Sequence, residues 1–149
     1  MAAQWVKSNV NPRLLEKDSV SILSVGSGTG DFDFMILDSL IRERAKKINY
    51  FAVEPSITHA TKLETRLCEA FGDEITSKVV PTGFESASLI DKFDVIVFAH
   101  SLYYIQDREV AIERAFDLLA GNGQILVVHQ TPIGIAQIQK KFMLRLAGA

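Results

Sequence analysis

The stretch SILSVGSGTGDFD, residues 21–33, joins a short apolar run to three glycines spaced two residues apart. Glycine lacks a Cβ, so a turn built on Gly26, Gly28 and Gly30 can adopt positive φ and lets a ligand lie directly on the backbone. The turn stands between a predicted strand at 20–25 and a predicted helix that begins at Phe34. In α/β proteins this position commonly binds nucleotides. We therefore expect the fold and the site to be organised around this turn.

Short β-branched runs alternate with longer amphipathic patterns along the rest of the chain. The runs predict further strands at 48–54, 78–82, 93–100 and 124–130. The amphipathic patterns predict helices at 34–47, 56–71, 108–120 and 137–146, and the glycines at 121–123 break the third of these. This alternation favours an α/β fold: a doubly wound, mostly parallel Rossmann-like sheet in three α/β/α layers, with its ligand crevice at the carboxyl ends of the strands.

Composition narrows the class of protein further. The 149 residues favour a single domain, 1–149, with an N-terminal lead-in at 1–19, and the formal net charge of −2 gives no reason to expect nucleic acid or an anionic membrane as partner. One cysteine excludes an internal disulfide, and no Cys/His cluster of metal-ligand spacing is present, so we expect no metal site. No apolar run has signal-peptide or membrane-spanning length, which predicts a cytoplasmic protein.

The residues around the turn favour a nucleoside joined to an amino acid over a dinucleotide. Their spacing is G-x-G-x-G, whereas dinucleotide sites use G-x-G-x-x-G. Asp31 and Asp33 follow at once, and two carboxylates would repel a pyrophosphate but suit a cationic or zwitterionic group. Glu54 ends the second predicted strand, where a carboxylate can accept hydrogen bonds from both ribose hydroxyls. These features disfavour a nicotinamide-dependent oxidoreductase.

Three stretches resemble the S-adenosylmethionine-dependent methyltransferases of the Rossmann-like class: ILSVGSGTGDFDFMIL (22–37), VEPSITHATKL (53–63) and FDVIVFAHSLYYIQD (93–107). Within that class they are most similar to the histamine N-methyltransferase family. The resemblance implies S-adenosylmethionine as cofactor, with the turn beside its methionine part, Glu54 on its ribose and the segment 83–86 at its adenine. The cofactor-binding residues that follow from it are Gly26, Ser27, Gly28, Gly30, Asp31, Glu54, Pro55, His59, Phe84, Glu85, Ser86 and Ala99.

The segment AHSLYY, 99–104, leaves the fourth predicted strand at the centre of the expected crevice. Histidine is the side chain most often used for acid–base chemistry at neutral pH, and His100 is the candidate catalytic residue, which would orient or deprotonate an acceptor amine. Tyr103 and Tyr104 match the substrate-lining tyrosines of the resembled family, and aromatic faces suit a cationic or imidazole substrate. That family carries a glutamine where His100 stands, so the identity of the methyl acceptor stays open.

Methyltransferases of this class continue past the fifth strand into a further helix and an antiparallel hairpin, and we expect this chain to lack the hairpin. A shortened sheet exposes a strand edge, which makes the segment 142–149 a candidate self-association surface. Two functions are therefore carried forward: a methyltransferase acting on a nitrogen of a small, histamine-like amine, and a catalytically inactive module of the same fold that binds the cofactor or a partner chain.

Overall fold

Five parallel strands form one sheet in the order β3-β2-β1-β4-β5. The computed structural model describes residues 2–42 and 47–129. Its strands are β1 (Val20–Val25), β2 (Ile48–Val53), β3 (Ile75–Val80), β4 (Phe93–Ala99) and β5 (Leu119–Val128). The chain runs outward from β1 to β3 and then returns to place β4 on the other side of β1. Ligands of open α/β sheets bind at such a reversal, and the predicted Rossmann-like sheet is confirmed.

Helices cover both faces of this sheet. They are α1 (Ala2–Asn9), α2 (Pro12–Leu15), α3 (Asp31–Arg42), α4 (Ile57–Phe71) and α5 (Arg108–Asp117). Alternate strand residues point to opposite faces, so Ile22 joins a core with α1 to α4, whereas Leu23 joins a second core with α5. The sheet is therefore the middle of three layers, as its apolar strands predicted.

The N-terminal region differs from the predicted lead-in. Residues 2–15 are largely helical, and Val6, Val10 and Leu14 are almost completely buried in the first core. Pro12 begins α2, where its missing N–H costs nothing, and the Asn11 side chain caps the helix by accepting from Arg13 N. The amphipathic pattern of α1 is too short to distinguish a helix from a lead-in by sequence, so only packing against α3 identifies it.

Several element boundaries also differ from those predicted. Strand β3 begins at Ile75 and ends before Pro81, which has no N–H to donate to a neighbouring strand. Helix α5 ends at Asp117, and β5 already begins at Leu119. The glycines at 121–123 consequently lie inside β5, where pairing with β4 shifts register between Phe93 and Val95. They form a bulge in the strand and do not separate it from the helix.

Some predictions concern other parts of the chain. The helix predicted at 137–146 and the self-association segment at 142–149 lie outside the described residues. Within the described ranges, no helix is long and apolar enough to cross a membrane. The same ranges contain no group of three or more His, Cys, Asp or Glu side chains arranged to hold a metal ion.

Candidate cofactor and substrate site

A cleft of about 540 Å³ lies at the carboxyl ends of the central strands. The loops that follow β1, β2, β3 and β4 form its walls, because parallel strands all end at the same edge of the sheet. Thirteen of the residues singled out from the sequence line it: Gly26, Ser27, Gly28, Asp31, Glu54, Pro55, His59, Phe84, Glu85, Ala99, His100, Tyr103 and Tyr104. Segments almost eighty residues apart in the chain thus share one cavity.

Glu54 is the buried carboxylate of this cleft, with only 6% of its surface exposed. Its Oε2 accepts a hydrogen bond from Gly28 N at 2.7 Å, and its Oε1 accepts one from Ser56 N at 2.9 Å. His59 Nδ1 lies 3.9 Å from the same Oε1. Each carboxylate oxygen keeps a second lone pair. Glu54 is therefore held rigidly between two loops and can still accept hydrogen bonds from a ligand.

The glycines of the turn have different surroundings. Gly28 has φ 56°, and a Cβ built there would meet no atom within 4 Å, so the space above the turn is open. A Cβ on Gly30 would lie 2.4 Å from Leu63 Cδ1, because this glycine packs against α4. Gly30 consequently does not line the cleft, in contrast to its predicted contact with the cofactor. Its role in the structure is to let α4 approach the turn.

The segment after β3 contributes less to the cleft than the sequence indicated. Phe84 lines it, but the ring is 3% exposed and packs edge-on against Phe98, with the Arg114 guanidinium 4.8 Å above it. Phe98 and Arg114 therefore cover much of this ring, and little of its surface is left for a stacked ligand. Ser86 is exposed outside the cleft, where its N donates to Gly83 O at 3.2 Å in a turn. Ser86 is the second predicted cofactor contact that the structure leaves outside the lining.

His100 stands at the end of β4 with φ 56°, in the left-handed region that non-glycine residues rarely adopt. Its N donates to Val128 O at 2.8 Å, which continues the pairing of β4 with β5 for one more residue. Such backbone strain costs about 1–3 kcal/mol and is concentrated at functional sites. The strained backbone turns the chain away from the sheet and brings the residues that follow β4 over the cleft.

Three aromatic rings stand together beside His100. Tyr103 lies 4.4 Å from Tyr104 and 5.4 Å from His129, measured between ring centroids. A hydrogen bond with Tyr104 raises the pKa of Tyr103 above its ordinary value, and partial burial lowers the pKa of His129, with a smaller contribution from the neighbouring basic side chains of His100 and Arg108. Both shifts favour the neutral forms of Tyr103 and His129. Tyr103 and Tyr104 line the cleft, and His129 packs against Tyr103, so the three rings form an aromatic wall beside the cleft.

A family profile described as a methyltransferase domain matches residues 3–143. The chain belongs to the methyltransferase domain family. Histamine N-methyltransferase from Rattus norvegicus is 27% identical over 141 residues, which are 87% of this chain and 48% of that protein. The enzyme of the same name from Bos taurus is 28% identical over 75% of this chain and 41% of its own length. This methyltransferase domain thus spans about half the length of the curated relatives it matches.

Solved structures agree with the family at the level of the fold. Coclaurine N-methyltransferase, bound to N-methylheliamine and S-adenosylhomocysteine, aligns with a TM-score of 0.63 at 14% identity, over 85% of this chain and 34% of that one. An S-adenosylmethionine-dependent methyltransferase from Clostridium acetobutylicum aligns with a TM-score of 0.62 at 17% identity, over 85% of this chain and 48% of that one. The prediction of a Rossmann-like methyltransferase fold is confirmed.

Beneath the turn, this methyltransferase domain buries a group of polar side chains: Ser24, Ser27, Asp33 and Tyr50. Their hydroxyl and carboxylate oxygens find no hydrogen-bond partner of normal geometry among the described residues. Burial raises the pKa of Asp33 from 3.8 to about 6, although the nearby hydroxyls of Ser24 and Tyr50 favour its charged form. Sequence reasoning treated Asp33 as a ligand-facing charge, whereas its side chain points into the first core.

The cleft lining also contains residues that were not singled out as individual contacts from the sequence: Val25, Thr29, Phe32, Ser101, Ile105 and, within the segment predicted at the adenine, Gly83. Ser101 has the firmest structural role of these, because its hydroxyl donates to Val25 O within the protein interior. A Cβ on Gly26 would lie 2.6 Å from Ser101 Cβ, so the first glycine of the turn accommodates this serine. The signal in the sequence was the position of Ser101 directly after β4, in the segment already selected for its histidine and tyrosines.

Proposed function

We propose that this chain binds S-adenosylmethionine in the cleft and transfers a methyl group to a nitrogen of a small amine. One observation carries the proposal: the buried Glu54 carboxylate is held at the end of β2 by Gly28 N, beside a glycine turn that leaves open space above it. A buried acceptor of this kind suits two ribose hydroxyls. The methyltransferase family and its neighbours that contain S-adenosylhomocysteine support the same cofactor.

In this proposal the cleft residues divide between the parts of the cofactor. Glu54 accepts from the ribose hydroxyls, with His59 at the same carboxylate, and the open backbone at Gly28 receives the methionine part. Asp31 begins α3 with an exposed carboxylate and takes the ammonium group. The segment 83–85 receives the adenine, with the edge of Phe84 as an apolar contact. The chemical character of each group matches the part of the cofactor that the proposal assigns to it.

When bound, the sulfonium of the cofactor would supply an electrophilic methyl carbon to a nitrogen lone pair, with the thioether as leaving group. The protein's tasks are to align the acceptor, exclude water and remove one proton from the acceptor nitrogen. His100 is the catalytic candidate for holding that proton, because it lines the cleft and an imidazole nitrogen can act as a general base. The aromatic wall of Tyr103, Tyr104 and His129 attracts a cationic or imidazole acceptor through its ring faces.

The choice of an amine acceptor rests on the relatives and on this wall. Histamine N-methyltransferase and coclaurine N-methyltransferase are both named for transfer to nitrogen. The wall is aromatic and contains no lysine or arginine, which favours a flat, weakly basic ring over an anionic substrate. A histamine-like amine fits this description best.

Calorimetry and a turnover assay test the proposal in two stages. The chain is titrated with S-adenosylhomocysteine and with NAD, and binding of the first without the second is expected. Glu54→Gln should lower the affinity for S-adenosylhomocysteine at least tenfold, because an amide can accept hydrogen bonds at one atom only. The control Glu64→Gln, on the exposed side of α4, should leave this affinity unchanged. Equal affinity of the two variants would contradict the ribose contact.

Turnover is then measured as S-adenosylhomocysteine release across a panel of imidazole and arylalkyl amines, with phenols as the comparison class. Release that depends on an amine supports the proposed reaction. Cofactor binding without turnover on any amine would instead favour the inactive binding module.

A further inference from the structure

Arg66 lies on α4, outside the cleft lining, and reaches back to the glycine turn. Its Nη1 donates to Thr29 O at 2.5 Å and to Asp31 Oδ1 at 2.6 Å. Its guanidinium carbon lies 4.5 Å from the centroid of the Phe34 ring, which fixes the direction from which it approaches. One nitrogen therefore joins a backbone carbonyl and a side-chain carboxylate on either side of Gly30.

Both partners of Arg66 line the cleft, although Arg66 itself does not. The Asp31 side chain is 83% exposed, whereas that of Arg66 is 33% exposed. An exposed aspartate samples several rotamers, and fixing one of them on ligand binding costs conformational entropy. The bond from Arg66 engages Oδ1 and leaves Oδ2 available to a second donor. The arrangement thus holds a carboxylate in place before any ligand arrives.

We propose that Arg66 is a positioning residue that orders the Asp31 carboxylate for the amino-acid end of the cofactor. The inference rests on the proposed function, which assigns Asp31 to the ammonium group. The amino-acid end is zwitterionic, so the direct attraction and repulsion between it and the Arg66 charge largely cancel. The effect that remains is the ordering of the Asp31 carboxylate. Removal of Arg66 should therefore lower the affinity for ligands that carry the amino-acid end and leave the affinity for ligands without it unchanged.

The experiment compares two ligands of the same nucleoside by calorimetry. S-adenosylhomocysteine carries the amino-acid end, and 5′-methylthioadenosine lacks it. Arg66→Gln should lower the affinity for S-adenosylhomocysteine about threefold to fivefold, which is the range of an exposed charged pair. It should change the affinity for 5′-methylthioadenosine less than twofold. Arg66→Lys should return the first affinity to within twofold of the wild type, because a single nitrogen makes both contacts. Lys62→Gln, an exposed lysine on the same helix, serves as the charge-matched control.

A double-mutant cycle identifies the partner. In an Asp31→Asn background, Arg66→Gln should cost no further affinity for S-adenosylhomocysteine. Equal weakening of both ligands would overturn the proposal, because it would show that Arg66 shapes the whole turn. A loss of similar size in Lys62→Gln, or tighter S-adenosylhomocysteine binding by Arg66→Gln, would overturn it as well. If the wild-type chain binds neither ligand, the proposed cofactor site itself is wrong, and this result is distinct from all the others.

Discussion

Asp33 provides the sharpest prediction, because its side chain is 2% exposed and burial raises its pKa from 3.8 to about 6. An acid whose pKa is raised by folding binds its proton more tightly in the native state. Its contribution to stability is therefore complete below pH 3.8 and is lost as the pH rises toward 6. The difference between the two pKa values corresponds to about 3 kcal/mol in the free energy of unfolding.

Asp33→Asn keeps the shape of the side chain and removes the titration. The free energy of unfolding of the variant, minus that of the wild type, should rise by about 2.5 kcal/mol between pH 4 and pH 7. Urea denaturation followed by far-UV circular dichroism at pH 4, 5, 6 and 7.5 measures this difference.

Asp38→Asn is the matched control on the same helix, because Asp38 is about half exposed and pairs with Arg42 at 2.9 Å. Its difference from the wild type should stay within about 0.5 kcal/mol at every pH. A difference for Asp33→Asn that is flat with pH, or that falls as the pH rises, would refute the assignment of a buried, proton-binding carboxylate under the glycine turn.

The remaining predictions concern backbone conformation around the cleft. Gly28→Ala and Gly72→Ala place a Cβ in open space at φ 56° and φ 48°, so both variants should lose about 1 kcal/mol of stability. Only Gly28→Ala should lower the affinity for S-adenosylhomocysteine measured by calorimetry. Equal affinities would mean that no ligand approaches the turn. His100→Asn should keep wild-type thermal stability or exceed it, since asparagine tolerates positive φ, yet lose most of the turnover that His100 supports. Unchanged turnover in His100→Asn would remove the proposed proton acceptor.

The local sequence pattern was sufficient to predict the strands of the sheet and the edge of the sheet at which the site lies. Each strand of the sheet was predicted within a few residues at one end or both, because short runs rich in β-branched residues and bounded by turn residues are typical of buried strands. Glycines that directly follow the first such run also locate the ligand edge, since every parallel strand ends there. The N-terminal helices were not predicted, because they are too short for a clear amphipathic pattern. Val6, Val10 and Leu14 can be recognised as core residues only from their packing in the folded structure.

The sequence by itself determined the class of fold, the family and the list of loops that meet at the cleft. Only the tertiary structure decided what each residue in those loops does. The Asp33 side chain is buried, the Asp31 side chain is exposed and accepts a hydrogen bond from Arg66, and Gly30 allows α4 to pack against the turn. The physical reason is that strand and turn formation depend on neighbours along the chain. Burial, charge pairing and the space beside a glycine depend instead on residues from other elements, such as Tyr50 beside Asp33, Leu63 beside Gly30 and Arg66 beside Asp31.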